Sequence, residues 1–141
     1  MRTWLIDIGP LVAYLDGGDP AHESVAETLD RFSGQLATTS AVITEAMHLL
    51  ADASDGPTLM AEFVHTAELR IFESTQPEQI FKAAALMRKY SGTPMDFADA
   101  TLVLLADELG VLDVLTLDRR GFSTYRTAKG KIFRLVLDSS S

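Results

Sequence analysis

Pro94-Met95-Asp96-Phe97-Ala98-Asp99-Ala100 opens a stretch that runs on through the apolar Thr101 to Leu105 and closes at Ala106 to Gly110. From Phe97 to Leu109 the residues are strong helix formers and apolar on nearly every side, the pattern of a helix sunk in a core. Its polar groups therefore need a reason. Asp96 reads as an N-cap, because a short carboxylate there accepts a bond from a first-turn amide and favours the positive end of the dipole. Asp99, at i+3, projects on the same side at the rim of a buried element. Two anions on one rim repel, which is tolerable if both are solvated and useful if a divalent cation binds between them. Capping and cation binding both stay open at this point.

Outward from this helix, the totals restrict the possibilities. A chain of 141 residues reads as one domain spanning 1–141, long enough to bury a core without a covalent staple. With 47% hydrophobic and 23% charged residues it belongs with globular chains. The absence of cysteine excludes disulfides, thiolate metal sites and a cysteine nucleophile. Asp7 interrupts the first apolar run early, so no signal peptide is expected, and no stretch approaches membrane-spanning length. The expected location is the cytoplasm.

The net charge of −8 argues against passive coating of nucleic acid. Its distribution is uneven. Residues 1–118 carry 6 Lys/Arg against 19 Asp/Glu, whereas residues 119–141 carry 6 Lys/Arg against Asp138 alone, which makes −13 and +5. The basic segment reads either as an edge strand protected by charge or as a phosphate-binding flank.

In chain order, Trp4-Leu5-Ile6 is a short buried strand ending at Asp7, and Gly9-Pro10 starts a helix. After the turn cluster Asp16 to Pro20, Val25, Leu29 and Phe32 mark an amphipathic helix over Ala21 to Phe32. Leu36-Ala37-Thr38 is a second strand, and Ser40 is the expected N-cap of a helix through Leu50. A helix from Thr58 to Thr66, a strand over Leu69 to Phe72 and a helix opened by Pro77 follow. Strands over Leu112 to Leu117 and Ile132 to Leu137 complete the pattern, with the last serines loose. Alternation of this kind indicates an α/β fold with a central, mainly parallel five-stranded sheet flanked by helices.

Such sheets place their sites beyond the carboxyl ends of the strands. Asp7 follows strand one, Glu45 lies on the helix after strand two, Asp99 begins the helix before strand four, and Asp118 follows strand four. Glu45 shares its helical face with Ala41, Val42 and Leu49, where it would lose hydration unless compensated. Clustered anions resist joint ionisation, and a divalent cation reverses that cost. All-oxygen ligands without Cys or a His set favour Mg²⁺ or Mn²⁺ over Zn²⁺.

Four stretches carry a resemblance: Asp7-Ile8-Gly9-Pro10-Leu11-Val12-Ala13, Thr39-Ser40-Ala41-Val42-Ile43-Thr44-Glu45-Ala46, Met95-Asp96-Phe97-Ala98-Asp99-Ala100, and Leu115-Thr116-Leu117-Asp118-Arg119-Arg120-Gly121-Phe122. Together they resemble the PIN domain, and more narrowly the VapC-type toxins of toxin–antitoxin pairs. The resemblance implies a PIN-like fold and a Mg²⁺- or Mn²⁺-dependent endoribonuclease that leaves a 5′-phosphate. It also implies a homodimer and a cognate antitoxin as partner. The family's acidic positions fall on Asp7, Glu45, Asp99 and Asp118, with Asp96 matching an additional acid. Asp7 and Asp99 would hold the ion, while Glu45 and Asp118 would complete a second metal site or orient the attacking water. The family commonly has Ser or Thr shortly after the first Asp, where this chain has Ile8 and Gly9, although Thr116 keeps a hydroxyl beside Asp118. Arg119, Arg120, Arg126 and Lys129, with Lys131 and Arg134, are the expected RNA phosphate contacts.

Other groups have plainer readings. Glu45 and His48 form a single Glu-x-x-His with no second copy to make a di-iron site. His22 and His65 read as surface residues. Phe122 and Tyr125 read as core, with base stacking the alternative. A phosphoryl-transfer site built on Asp7 lacks an acid at Gly9, and a non-catalytic PIN fold kept for binding is the remaining rival.

Overall fold

The computed structural model describes residues 1–137, and the trailing serines lie outside the described residues. The expected α/β architecture is present. At the centre of a five-stranded sheet of order β3-β2-β1-β4-β5 lies β1 (Thr3–Ile6), flanked by β2 (Gln35–Thr39) and β4 (Asp113–Leu115). The outer positions are β3 (Arg70–Phe72) and β5 (Arg134–Leu135). All four pairings are parallel. β4 and β5 are shorter than the runs Leu112 to Leu117 and Ile132 to Leu137. Thr116 lies just past the end of β4, with its hydroxyl bonded to Asp7 at the sheet edge, and Ile132 forms an isolated antiparallel bridge with Arg126.

Parallel strands need crossovers, and helices supply them here. They are α1 (Ile8–Leu15), α2 (His22–Arg31), α3 (Ser40–Leu50), α4 (Gly56–Thr66), α5 (Pro77–Lys89), α6 (Phe97–Leu109) and the short α7 (Arg119–Thr124), which sequence reading did not anticipate. α1 and α2 start within one residue of expectation, at Ile8 and His22, while α4 and the cap of α3 differ for physical reasons. α4 begins at Gly56 rather than Thr58, because Pro57 fits the first turn, where its missing N–H leaves no bond unmade. The N-cap of α3 is Thr39, not Ser40. Thr39 keeps strand-like dihedrals and its Oγ1 accepts from Val42 N at 3.3 Å, while the Ser40 hydroxyl pairs with Ser74 at 2.8 Å.

α6 is sunk in the core, as its apolar sequence predicts. Ala98, Ala100, Leu102, Val103, Leu105 and Ala106 of α6 are all buried, packed between α5 and β2. Truncating the fully buried Leu102 to Ala would cost about 2–5 kcal/mol. α6 ends at Gly110, whose φ of +66° is inexpensive only for glycine. Phe122 and Tyr125 are fully buried, Phe122 edge-on to Phe133 with centroids 5.4 Å apart, so packing is their role and base stacking is excluded. His65 is exposed as expected, but His22 is half-buried and its Nδ1 lies 2.7 Å from the Ala13 carbonyl. A carbonyl can only accept, so Nδ1 carries the proton.

Because every strand points the same way, the residues that follow β1, β2 and β4 share one edge of the sheet with the N-terminus of α6. Among the described residues no helix is long and apolar enough to cross a membrane.

Candidate active site

Asp7 follows β1 directly, and its amide extends the ladder by donating to the Leu115 carbonyl at 3.0 Å. Its backbone caps α1, yet its side chain makes no capping bond. Instead Oδ2 accepts from the Thr116 hydroxyl at 2.8 Å, and the Thr116 oxygen accepts from Asp118 N at 2.9 Å. One hydroxyl thus ties the end of β1 to the end of β4. The other oxygen of Asp7, Oδ1, is buried without a hydrogen-bond partner. A carboxylate oxygen in that state has lost its hydration and gained nothing in return.

Asp96 and Asp99 form a reciprocal capping box at the start of α6. Asp96 Oδ1 accepts from Asp99 N at 2.8 Å, and Asp99 Oδ2 accepts from Asp96 N at 3.1 Å. Asp118 caps α7, its Oδ1 accepting from Gly121 N at 3.0 Å. Each of the four aspartates is therefore fixed to the main chain or to Thr116 by one oxygen, and each keeps a second oxygen outside those bonds.

Their charges are felt mutually. Burial pushes the Asp7 carboxyl up to about 6, the Ile8 amide and the Thr116 hydroxyl pull the other way, and Asp96 and Asp118 add to the rise. Asp99 is pushed up to about 8, by burial first, then by Asp7 and Asp96. The Tyr125 phenol is raised as well, by burial first and then by Asp99, Asp118, Asp96 and Asp7. All four aspartates act on the charge of that one phenol.

No three ligating side chains stand ready as a cage among the described residues. Like charges held to separate scaffolds are expected to stand apart until a cation draws them in. The donors are all hard oxygens, and the orphaned Asp7 Oδ1 lacks the very partner that a cation supplies, so the set fits Mg²⁺ or Mn²⁺.

Residues 5–128 match the PIN domain. The chain belongs to the PIN-domain family. Within it the chain is VapC-like: it is 32% identical over 136 residues to ribonuclease VapC26 of Mycobacterium tuberculosis, covering 94% of this chain and 98% of that protein. Among solved structures the fold matches M. tuberculosis VapC20, a sarcin-ricin-loop-cleaving toxin, with a TM-score of 0.73 at 16% identity, over 82% of this chain and 89% of the other. It also matches a chain of VapBC2 from Rickettsia felis bound to a promoter DNA fragment, with a TM-score of 0.66 at 13% identity, over 95% and 98% of the two chains.

In this PIN domain the other expected site residues divide. Glu45 is exposed, and its supposedly apolar surroundings include Leu49, itself 53% exposed. The buried face of α3 is Val42, Ala46 and Leu50, so the expectation that Glu45 would lose hydration is corrected. Glu45 is not among the acids that raise Asp7 or Asp99. Arg119 and Arg120 are exposed in the first turn of α7, beside Asp118. Arg126 is otherwise engaged: its Nη1 donates to the carbonyls of Ser123, Thr124 and Tyr125 at 2.9–3.0 Å, closing the end of α7. Lys129 follows Ala128, whose amide donates to Asp107 Oδ2 at 2.8 Å, eight residues along α6 from Asp99 and so about 12 Å away along the axis. Arg134 pairs with Asp113 at the start of β4, the opposite edge of the sheet. The basic segment is thus not one flank beside the acids.

Gly9 has a local reason. A Cβ there would stand 3.2 Å from Leu117 Cδ1, so a larger residue at Gly9 would press on Leu117. Two contributors escaped the sequence reading, Tyr125 and Gly121. Asp118 is by residue type an N-cap candidate, the one signal that could have pointed to α7 and with it to the position of Tyr125.

Proposed function

We propose that this PIN domain is a Mg²⁺- or Mn²⁺-dependent endoribonuclease, the toxin component of a VapC-type toxin–antitoxin pair. The observation that carries the reading is the buried, unpartnered Oδ1 of Asp7 among three further aspartates at the carboxyl edge of a parallel sheet. The 32% identical relative is a ribonuclease, which supports RNA as the substrate class. A PIN fold kept only for binding finds no support, because burying mutually repelling carboxylates costs stability without serving a scaffold.

Asp7, Asp99 and Asp118 would hold the ion, with Asp96 adjoining, and Glu45 would act from its exposed position on α3. A divalent cation there supplies charge neutralisation, polarisation of a phosphoryl oxygen and activation of water. The chain's own residues do the rest. Thr116 holds Asp7 Oδ2, which leaves Oδ1 as the oxygen without a partner. The capping box keeps Asp96 and Asp99 in register on α6. Arg119 and Arg120 engage phosphates beside the acids, positioning RNA without reading its sequence.

The implied partners are RNA, a second copy of this chain and an antitoxin in the cytoplasm. The fold's likeness to chains from toxin–antitoxin complexes, one of them from Klebsiella pneumoniae at a TM-score of 0.62, supports the antitoxin. An Arg or Lys of that antitoxin would meet the carboxylates. The deciding experiment is single-turnover cleavage of a structured RNA in Mg²⁺ or Mn²⁺ by the parent protein and by Asp7→Asn. Loss of cleavage with much of the RNA affinity retained is expected. Equal cleavage by the variant would overturn the assignment.

A further inference from the structure

The four aspartates reach the site by two routes. Asp7 and Asp118 follow adjacent strands whose spacing is set by the ladder and by the Thr116 hydroxyl. Asp96 and Asp99 arrive from outside the sheet, at the end of the loop between α5 and α6. Something must therefore set the start of α6 against the end of β4. The buried Thr39–Thr101 hydroxyl pair, at 2.8 Å, anchors α6 one turn further in, but it does not touch the loop.

Tyr125 does. It is the C-cap residue of α7, the helix that Asp118 caps at its other end. Its hydroxyl donates to the Pro94 carbonyl at 2.6 Å, two residues before the Asp96 cap. The ring is fully buried and edge-on to both Phe122 and Tyr90, with centroids 5.2 and 5.1 Å away, so its hydroxyl has little freedom to move. Gly121 makes the approach possible. A Cβ at that position would lie 2.3 Å from Asp118 Oδ2 and 2.9 Å from the Tyr125 hydroxyl, so the two groups meet over one bare Cα. Phenylalanine would fill the same core, so the hydroxyl calls for its own explanation.

We infer that Tyr125 is a positioning residue, whose bond to Pro94 fixes the Asp96–Asp99 pair at its working distance from Asp118. The inference rests on the metal-site reading above. A purely structural hydroxyl is the competing account, and Tyr90 provides the matched control. The Tyr90 hydroxyl accepts from Arg126 N at 2.9 Å, pinning the head of the same loop, at the C-cap of α5 and six residues before Asp96.

The experiment compares parent, Tyr125→Phe and Tyr90→Phe by thermal melting without metal, by Mn²⁺ titration followed by EPR, and by RNA binding and single-turnover cleavage. Both variants are expected to melt earlier. Only Tyr125→Phe should weaken Mn²⁺ binding, by about tenfold, as loss of groups that orient ligands does. Its cleavage should fall at limiting Mn²⁺ and recover as Mn²⁺ is raised, with RNA affinity unchanged. Three results would overturn the inference: a Tyr125→Phe midpoint within about twofold of the parent's, an equal weakening in Tyr90→Phe, or a Tyr125→Phe chain that does not fold, which would make the hydroxyl structural. If the parent itself binds no Mn²⁺, the metal-site reading fails first and separately, and the positioning role falls with it.

Discussion

Replacing Asp7 with Asn removes one charge from the most crowded point of the fold while keeping the shape of the side chain. The Asp7 carboxyl is raised from 3.8 to about 6, so its ionisation at neutral pH costs the metal-free fold about 3 kcal/mol at 1.36 kcal/mol per unit. The sign follows from linkage. A carboxyl with a raised folded pKa imposes no penalty below about pH 4, where it is protonated in both states, and its full penalty above about pH 6. Metal-free stability should therefore fall as pH climbs through this window, and Asp7→Asn should flatten the fall. Asn can still accept from Thr116, but its amide needs a buried acceptor, which offsets about 1–2 kcal/mol of the gain. The net expectation at pH 7.5 in EDTA is a variant more stable by about 1–2 kcal/mol, or roughly 3–7 °C in Tm for a chain of this size. Saturating Mn²⁺ should reverse the order, because an ion at about 100 times its Kd stabilises the parent by about 2.7 kcal/mol and the variant hardly at all. Differential scanning calorimetry from pH 4.5 to 8.5, with EDTA and with Mn²⁺, reads both effects. A variant that melts below the parent in EDTA at every pH would make Asp7 a structural acid, and an unaltered Mn²⁺ response would remove it from the ion.

Asp99→Asn should also melt later than the parent in EDTA above neutral pH and lose its Mn²⁺ response, since Asn can still accept from Asp96 N; calorimetry under the same conditions checks this. Glu45→Gln should leave the metal-free Tm within about 1–2 °C of the parent, as exposed positions do, while slowing single-turnover cleavage; unchanged cleavage would remove Glu45 from the site. Arg119→Ala combined with Arg120→Ala should weaken RNA binding and lower its salt slope by about 2, with a smaller effect on cleavage at saturating RNA. Salt-dependent binding curves measure this, and Lys129→Ala, altered beside Asp107, should leave the slope nearly unchanged.

The parts of the site carried by strand ends were legible in the sequence. Asp7 and Asp118 could be placed because a short apolar run ending in an acid has one interpretation in a parallel sheet, and Asp96 and Asp99 because a helix apolar all round must expose its first turn at the sheet edge. Glu45 misled because helical periodicity gives relative facing only. Ala41, Val42 and Leu49 lie near it on the wheel, yet only Val42 is buried, since the packed stripe continues through Ala46 and Leu50. The basic segment misled for a related reason. Charge counted along 23 residues ignores that the chain turns through α7 and back to β5, which carries Arg134 to the far edge of the sheet. Tyr125 was illegible because its role is a bond to a main-chain carbonyl 31 residues away, and no local pattern encodes that.

Capping and cation binding, the two readings left open for Asp96 and Asp99, are not alternatives, because a carboxylate has two oxygens. In each of the four aspartates one oxygen is spent on a fixed hydrogen bond: Oδ2 of Asp7 to Thr116, Oδ1 of Asp96 and Oδ2 of Asp99 within the capping box, Oδ1 of Asp118 to Gly121 N. Those bonds restrict the rotation of side chains that would otherwise swing apart under mutual repulsion. Free carboxylates would relieve the repulsion by moving, and an ion would then have to gather them at the cost of their rotamer entropy. Fixed ones stay buried and close in the metal-free fold, where burial first and the neighbouring charges after it raise the carboxyls of Asp7 and Asp99. An ion binding there neutralises the buried charges, against the proton it must displace from Asp99 near neutral pH. Helix caps at Asp96, Asp99 and Asp118 and the Thr116 hydroxyl at Asp7 thus keep like charges near one another for a cation to draw in.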